Sequence, residues 1–248
     1  MELLALGTGG WIPTQKRQTA CYLVDTGKSL IILDTGTGLS RLSKYSNLVN
    51  KYDELHIIYS HYHLDHLMGL VFLSNWAKEK KIYFYGPGES LGFNSCRDVL
   101  SGILTPPYFI NIDSIYNRLD IKDYDLNGFN INDTVISITK QVHRGGSFGI
   151  TLDDKLHYAT DTIECEETFR KAEGVNLLLH DCWLVEPDEN NEHSSFNGII
   201  KMLANYNVKQ AGLVHINPNW DDETFELLRG RTKHHNIFLA EDNMKFEL

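Results

Sequence analysis

His61-Tyr62-His63-Leu64-Asp65-His66 stands directly after Glu54 to Ser60, an apolar run that reads as a β-strand. It opens the segment Leu64 to Lys80, where Leu67, Leu70, Val71 and Trp76 have helical spacing. Four ligand-type side chains within six residues cannot all serve a core. His61 and His63 are two apart, so on an extended turn they point the same way. Asp65 and His66 lie one step further, at a helix start, and face a second point in space. That arrangement suits two neighbouring metal ions rather than one. Neutral imidazole and carboxylate are ligands that Zn²⁺, Mn²⁺ and Fe²⁺ all accept.

Three distant residues fit the same chemistry. His143 follows the strand-like run Thr134 to Val142, Asp161 follows Leu156 to Ala159, and His215 follows Gln210 to Val214. Strand ends at one edge of a sheet are where loops gather to form sites. Any one of these residues alone would read as a structural group. Together with the cluster at 61–66 they read as a ligand set.

The rest of the chain alternates in a way that predicts the architecture. Glu2 to Leu6 is a strand entering the turn Gly7, Gly9, Gly10, and Thr19 to Asp25 with Ser29 to Asp34 forms a hairpin about Thr26-Gly27-Lys28. Lys81 to Tyr85, Phe148 to Leu152 and Asn176 to Leu179 are further strands, and Glu164 to Ala172 and Ser194 to Tyr206 are helices, the latter with Ser194 as N-cap. The stretch Leu91 to Asn117 is ambiguous, with part of it helical. Both halves run strands first and then strands alternating with helices, which predicts an α/β fold of two packed sheets with helices outside. No linker, repeat or low-complexity tract divides the chain, so residues 1–248 read as a single domain.

Composition narrows the partners. Lys plus Arg is 23 and Asp plus Glu is 33, a formal charge of −10, which is not the footprint of non-specific nucleic-acid binding. A specific RNA substrate stays compatible if bound metals and a local basic patch reverse the field. Cys21, Cys96, Cys165 and Cys182 are scattered without a Cys-x-x-Cys pair, as expected of reduced thiols in a cytoplasmic protein. The first residues lack the basic start of a secretory leader, and no run approaches the ~20 apolar residues of a membrane span.

The ordered set His61-x-His63-x-Asp65-His66, His143, Asp161 in Ala-Thr-Asp-Thr and His215 in Leu-Val-His-Ile resembles the metallo-β-lactamase superfamily. The opening Leu6-Gly7-Thr8-Gly9-Gly10 and the turn Leu33-Asp34-Thr35-Gly36 fit as well, so the resemblance runs from about residue 3 to residue 220. It implies a four-layer αβ/βα sandwich, two mixed β-sheets flanked by helices. It implies that His61, His63 and His143 hold one metal, that Asp65, His66 and His215 hold the other, and that Asp161 bridges them. Within the superfamily the chain is most similar to the ribonuclease Z and phosphodiesterase branch. Leu-Gly-Thr-Gly-Gly-Trp-Ile-Pro-Thr at the start, Tyr83-Phe84-Tyr85-Gly86-Pro87 and His193-Ser194-Ser195 carry that likeness. His180-Asp181 resembles the branch's His-Glu segment, with Asp in place of Glu. Dimers are usual in that branch, which makes a homodimer an expectation from the resemblance alone.

A hydrolytic mechanism follows. Two divalent ions, most simply Zn²⁺, would share a bridging hydroxide that attacks phosphorus in line. Asp65 would also orient the hydroxide. His193 would protonate the leaving oxygen, with Asp181 orienting it, and the helix start beside His193 would favour a phosphate. Asp34 would fix the site from behind. His56, His157, His234 and His235 have no motif around them and read as structural or surface residues, and Lys78, Lys80 and Lys81 read as a solvated helix terminus rather than an RNA contact.

Ribonuclease Z enzymes of bacteria commonly carry a long arm that grips tRNA between the ligands matching His143 and Asp161. Here that interval is 161 − 143 = 18 residues and reads as a plain hairpin. The missing arm and the acidic balance count against tRNA processing. A small phosphodiester, such as a cyclic nucleotide or cyclic phosphate, is compatible with the site. Two other classes remain open, because ligands alone do not choose the bond. One is hydrolysis of a thioester, lactone or lactam, which has no use for the His193-Ser-Ser acid. The other is a non-hydrolytic redox or metal-binding role, for which no flavin or iron–sulfur signature is present.

Overall fold

In the first strand Leu3 and Ala5 turn to one face, Leu4 and Leu6 to the other, and all are buried. A strand apolar on both faces belongs to a sheet covered on both sides. The computed structural model, which describes residues 1–76, 79–232 and 236–248, contains two such sheets. The first takes β1 (Glu2–Gly7), β2 (Cys21–Asp25), β3 (Leu30–Leu33), β4 (Glu54–Ile58), β5 (Lys81–Pro87) and β6 (Leu119–Tyr124). The second takes β7 (Phe129–Ile131), β8 (Thr134–Lys140), β9 (Phe148–Leu152), β10 (Leu156–Ala159), β11 (Leu177–Asp181), β12 (Ala211–Val214) and β13 (Ile237–Leu239). The final strand, β14 (Lys245–Glu247), returns to the first sheet and pairs antiparallel with β1.

Both sheets are mixed, and in both the antiparallel strands come first. β1, β2 and β3 are antiparallel neighbours, after which β4, β5 and β6 add in parallel. β7 to β10 form an antiparallel meander, after which β11, β12 and β13 add in parallel. Parallel pairing needs crossover helices, which cover the outer faces. Leu3, Tyr22, Ile31, Ile150, Tyr158 and Leu179 pack between the sheets. Leu6, Leu23, Ile57 and Phe84 form a core outside the first sheet, and Phe169, Leu178, Phe196 and Leu213 form one outside the second. The chain therefore forms the αβ/βα sandwich expected from its sequence.

Several local expectations are corrected. The helix expected over Leu64 to Lys80 is α-helical only at Leu64–Leu67 and then tightens to 3₁₀ at Met68–Asn75. Gly69 explains the change: its amide donates to Thr35 O at 2.8 Å. A Cβ there would fall 2.0 Å from Gly36 O. The backbone is pulled against the 34–36 turn and leaves the α ladder. Lys80 is not a solvated helix-end cation but is buried, with its ammonium on Tyr52 O, while Lys81 lies 4.4 Å over the Tyr83 ring. Lys78, His234 and His235 lie outside the described residues. The ambiguous 91–117 stretch contains helices Cys96–Ile103 and Ile112–Ile115. The helix expected from Ser194 spans Phe196–Leu203, and its N-cap is Ser195, whose Oγ accepts from the Gly198 amide.

His157, expected to be structural, is buried in β10 and shares a hydrogen bond of 2.8 Å with Thr151 Oγ1. Burial pushes its pKa down to about 3. An unfolded histidine titrates near ~6.5. Below that pH the unfolded chain takes up a proton that the folded chain refuses, so this contribution to stability is complete above ~6.5 and falls as pH drops toward the folded value. At pH ~5 the loss from this ring is about 2 kcal/mol. Thermal unfolding of the metal-free protein between pH ~7.5 and ~5 should show it, and His157→Gln should flatten the slope. Equal slopes for the two proteins would dismiss the assignment.

Candidate metal centre

The turn after β4 and the ends of β8, β10 and β12 meet at one edge of the sandwich. They bring together all seven expected ligands, His61, His63, Asp65, His66, His143, Asp161 and His215. The ligand atoms of His61, His63, His143 and Asp161 lie within 4.8 Å of one another, and so do those of Asp65, His66 and His215. Asp161 faces both groups. Its Oδ2 is 3.6 Å from Nε2 of both His61 and His143, and its Oδ1 is 3.0 Å from His66 Nε2 and 3.3 Å from His215 Nε2. Asp65 Oδ2 lies 3.4 Å from His66 Nε2 and 3.2 Å from His215 Nε2.

The backs of the rings are held by groups that decide which nitrogen faces inward. His66 Nδ1 donates to Asp34 Oδ2 at 2.7 Å, and Ser60 Oγ is 3.0 Å from His61 Nδ1. Glu192 O is 3.3 Å from His143 Nδ1. Each leaves its Nε2 for the site, the outer support typical of metal-binding histidines. Nε2 of His61 is buried without a hydrogen-bond partner. A buried orphan acceptor of this kind fits a bound cation. Burial alone would raise the Asp65 and Asp161 carboxyls, but the surrounding imidazoles outweigh it and hold both below the usual carboxylate range. Burial pushes the His61 ring well down, whereas at His66 and His215 the facing carboxylates outweigh burial and raise the pKa, that of His215 to about 10. Metal binds the ionised carboxylate and the neutral imidazole, so a bound cation would take the place of the protons on those two rings.

Backbone geometry concentrates here too. Asp34, Asp161 and His215 have φ of 55°, 49° and 51°, the left-handed region that costs a non-glycine residue energy and recurs at functional sites. Asp34 explains its own strain, since its carboxylate also accepts from Ser60 N and Oγ and from Tyr158 Oη, all at 2.7 Å. Gly10 supplies close approach: a Cβ there would fall 2.5 Å from the His215 ring. Gly10→Ala should therefore displace His215 and release metal from the Asp65–His66–His215 group while the fold survives. Metal content by plasma emission beside circular dichroism tests this, and an alanine variant with full metal content would refute it.

His193 and Asp181, expected as acid and orienter, also meet at the site. His193 Nδ1 donates to Asp181 Oδ2 at 2.7 Å, and Asp181 Oδ1 lies 3.7 Å from His215 Nδ1. Burial lowers the proton affinity of His193, but the adjoining carboxylate outweighs it and the pKa is raised. Its ring stacks on Trp183 at 5.1 Å and on His215 at 5.2 Å. A ligand atom of His193 falls within 4.8 Å of those of Asp161 and His215, so the ring borders the centre.

The helix start expected to receive a phosphate is occupied. Glu164 Oε1 accepts from Ser195 N at 2.7 Å and Ser195 Oγ at 2.6 Å. Ser194 Oγ donates to Thr162 O at 2.6 Å, so this turn is fastened from both sides. Among residues to which the sequence assigned no role in the site are Glu164, Trp183 and Trp11, whose amide donates to Asp65 Oδ2 at 2.8 Å. None sits in a ligand-rich stretch; Trp11 alone had a signal, its place beside the Gly9-Gly10 turn. The centre opens into a pocket of about 370 Å³ walled by Trp11, Trp183 and the loop Asn190 to His193.

The family model described as Anti-Pycsar protein Apyc1 matches residues 1–239. Ribonuclease Z of Thermococcus sibiricus is 24% identical over 91% of this chain and 89% of its own length. Ribonuclease Z of Saccharolobus islandicus is 27% identical over 98% and 97%. Among solved structures, the metallo-β-lactamase fold protein YhfI from Bacillus subtilis has a TM-score of 0.78 at 16% identity, covering 99% of this chain and 98% of that one. The short form of human tRNase Z has 0.71 at 17%, covering 100% and 99%. The chain has the metallo-β-lactamase fold and belongs to the Anti-Pycsar protein Apyc1 family.

Proposed function

We propose that this protein is a phosphodiesterase with two divalent metal ions, held by His61, His63 and His143 on one side and Asp65, His66 and His215 on the other, with Asp161 between them. The substrate is a small phosphodiester such as a cyclic nucleotide or cyclic phosphate. The observation that carries the reading is the His193–Asp181 pair, whose His193 lines the pocket and stacks on His215 of the ligand set. Hydrolysis of a thioester, lactone or lactam has no use for such an acid, whereas an alkoxide leaving phosphorus needs a proton.

Bound metal would supply a water activated at neutral pH and neutralise the phosphoryl oxygens; Zn²⁺ suits the imidazole-rich donor set, and Mn²⁺ and Fe²⁺ accept it too. Asp65, held by the Trp11 amide, would orient the attacking water. His193 would deliver its proton to the leaving oxygen, and Asp181 would keep Nδ1 protonated and the ring aimed. Trp183 would hold the ring flat. Ribonuclease Z relatives raise RNA as a substrate. The segment between His143 and Asp161 is the β9–β10 hairpin, closed by Asp153 and Asp154 with φ of 49° and 51°. It offers no arm for a tRNA, and a pocket of about 370 Å³ suits a small ligand. The cytoplasm and a homodimer fit this reading; among the described residues no helix is long and apolar enough to cross a membrane.

The test is turnover of bis(p-nitrophenyl) phosphate by the Zn²⁺- or Mn²⁺-loaded protein beside a thioester and a lactone. Hydrolysis of the phosphodiester alone is expected, followed by comparison of cyclic nucleotides with a tRNA precursor. Hydrolysis of only the carbon esters would overturn the reading.

A further inference from the structure

The rim of the pocket contains an anion cradle that is already filled. Arg144 directly follows His143, and it is the sole lysine or arginine among the described residues that line the pocket. Its Nη2 is 2.7 Å from Glu192 Oε1, and its amide donates to Glu192 Oε2 at 3.1 Å. Both oxygens of one carboxylate are thus gripped by one residue. Gly145 and Gly146 follow with φ of 82° and 83°. They turn the loop back toward the centre, so that a Cβ on Gly145 would lie 3.5 Å from His63 Nε2. A fork of guanidinium and amide donors fits carboxylate and phosphoryl oxygens alike.

The pair is exposed. The Arg144 side chain is 85% accessible and that of Glu192 34%, so the contact is worth little to stability and exchanges readily. Glu192 belongs to the Asn190–His193 loop that walls the pocket. Its carbonyl, not its carboxylate, faces His143. The carboxylate can therefore leave Arg144 without disturbing that metal-site ring.

We infer that Arg144 recruits the phosphoryl group of the substrate at the pocket mouth, and that the Glu192 carboxylate holds its place until substrate displaces it. This rests on the phosphodiesterase reading for its substrate, but not for the anion site itself. On a chain of net charge −10, a single rim cation that exchanges an internal carboxylate for an incoming phosphoryl group would set the KM.

The signs of two substitutions separate recruitment from a mere clasp. Arg144→Ala should raise KM for bis(p-nitrophenyl) phosphate about tenfold, with kcat nearly unchanged. Glu192→Gln removes the competing charge and should lower KM severalfold; the double variant should behave as Arg144→Ala. Arg144→Lys should recover only part of the loss, because a point charge lacks the fork. A structural clasp would give Arg144→Ala and Glu192→Gln effects of the same sign, and that result would overturn the inference. Calorimetric affinity of the metal-loaded proteins for inorganic phosphate supplies a readout independent of turnover. Opposite shifts in that affinity without phosphodiester hydrolysis would keep the anion site and remove the proposed function. Hydrolysis with identical KM and phosphate affinity in all variants would do the reverse.

Discussion

Asp161→Ala is expected to strip metal from both ligand groups and to abolish turnover. Its two oxygens face the two groups separately, at 3.0–3.3 Å on one side and 3.6 Å on the other. No other carboxylate among the described residues faces both groups. Without it Asp65 is left beside His66 and His215 but no carboxylate is left between the two groups, and cations brought close together repel. A metal pair contributes several kcal/mol to stabilising charge in a phosphoryl transition state, so loss of kcat/KM by roughly a thousandfold or more is expected. Metal content should fall from two ions per chain toward none. Circular dichroism should remain folded, since the side chain sits at a strand end rather than in the apolar core. Retention of two ions with turnover within about threefold of the native protein would remove Asp161 from the centre.

His193→Ala is the second large effect, and its signature differs. Turnover should fall by roughly 10²–10⁴-fold, the usual worth of a positioned acid. Metal content should stay at two ions, because the seven ligands are untouched. Loss of one ion would instead make His193 a ligand, which its approach to Asp161 and His215 makes a fair alternative. The pH profile adds a directional check. An acid must hold its proton, so activity falls as pH rises through the raised pKa of His193. Asp181→Asn removes the carboxylate that raises it and should move the basic limb of the profile to lower pH. An unmoved limb would detach Asp181 from proton transfer. Substrates with a good leaving group should suffer least from His193→Ala, since p-nitrophenolate needs little protonation.

The candidate metal centre was legible because its first half is contiguous. His61, His63, Asp65 and His66 sit in one turn, where spacing alone constrains direction. His143, Asp161 and His215 could be added because each ends a strand, and strand ends of one sheet share an edge. The continuous apolar runs along β1, β2 and β3 are what sheets covered on both faces require. The pairing of His193 with Asp181 was legible only through resemblance, since twelve residues and a loop separate them.

What stayed hidden depends on contacts between segments far apart in the chain. The helix near His193 looked open to phosphate because its start is serine-rich. Glu164, thirty-one positions before Ser195, fills it instead. Lys80 looked solvated beside its lysine neighbours, yet the Tyr52 carbonyl draws it into the interior. The helix after His66 looked long by its apolar spacing, but Gly69 is drawn onto the 34–36 turn and tightens it. Arg144 and Glu192 are each unremarkable in sequence, forty-eight positions apart, and meet only when the loop before His193 folds over the end of β8. The sequence by itself determined the sandwich and the set of candidate metal ligands that meet at its edge, because periodicity and ligand type are local properties. Only the tertiary structure decided which helix start is blocked, which nitrogen of each histidine faces the centre and which charges guard its mouth, because those depend on distances between segments that no spacing rule encodes.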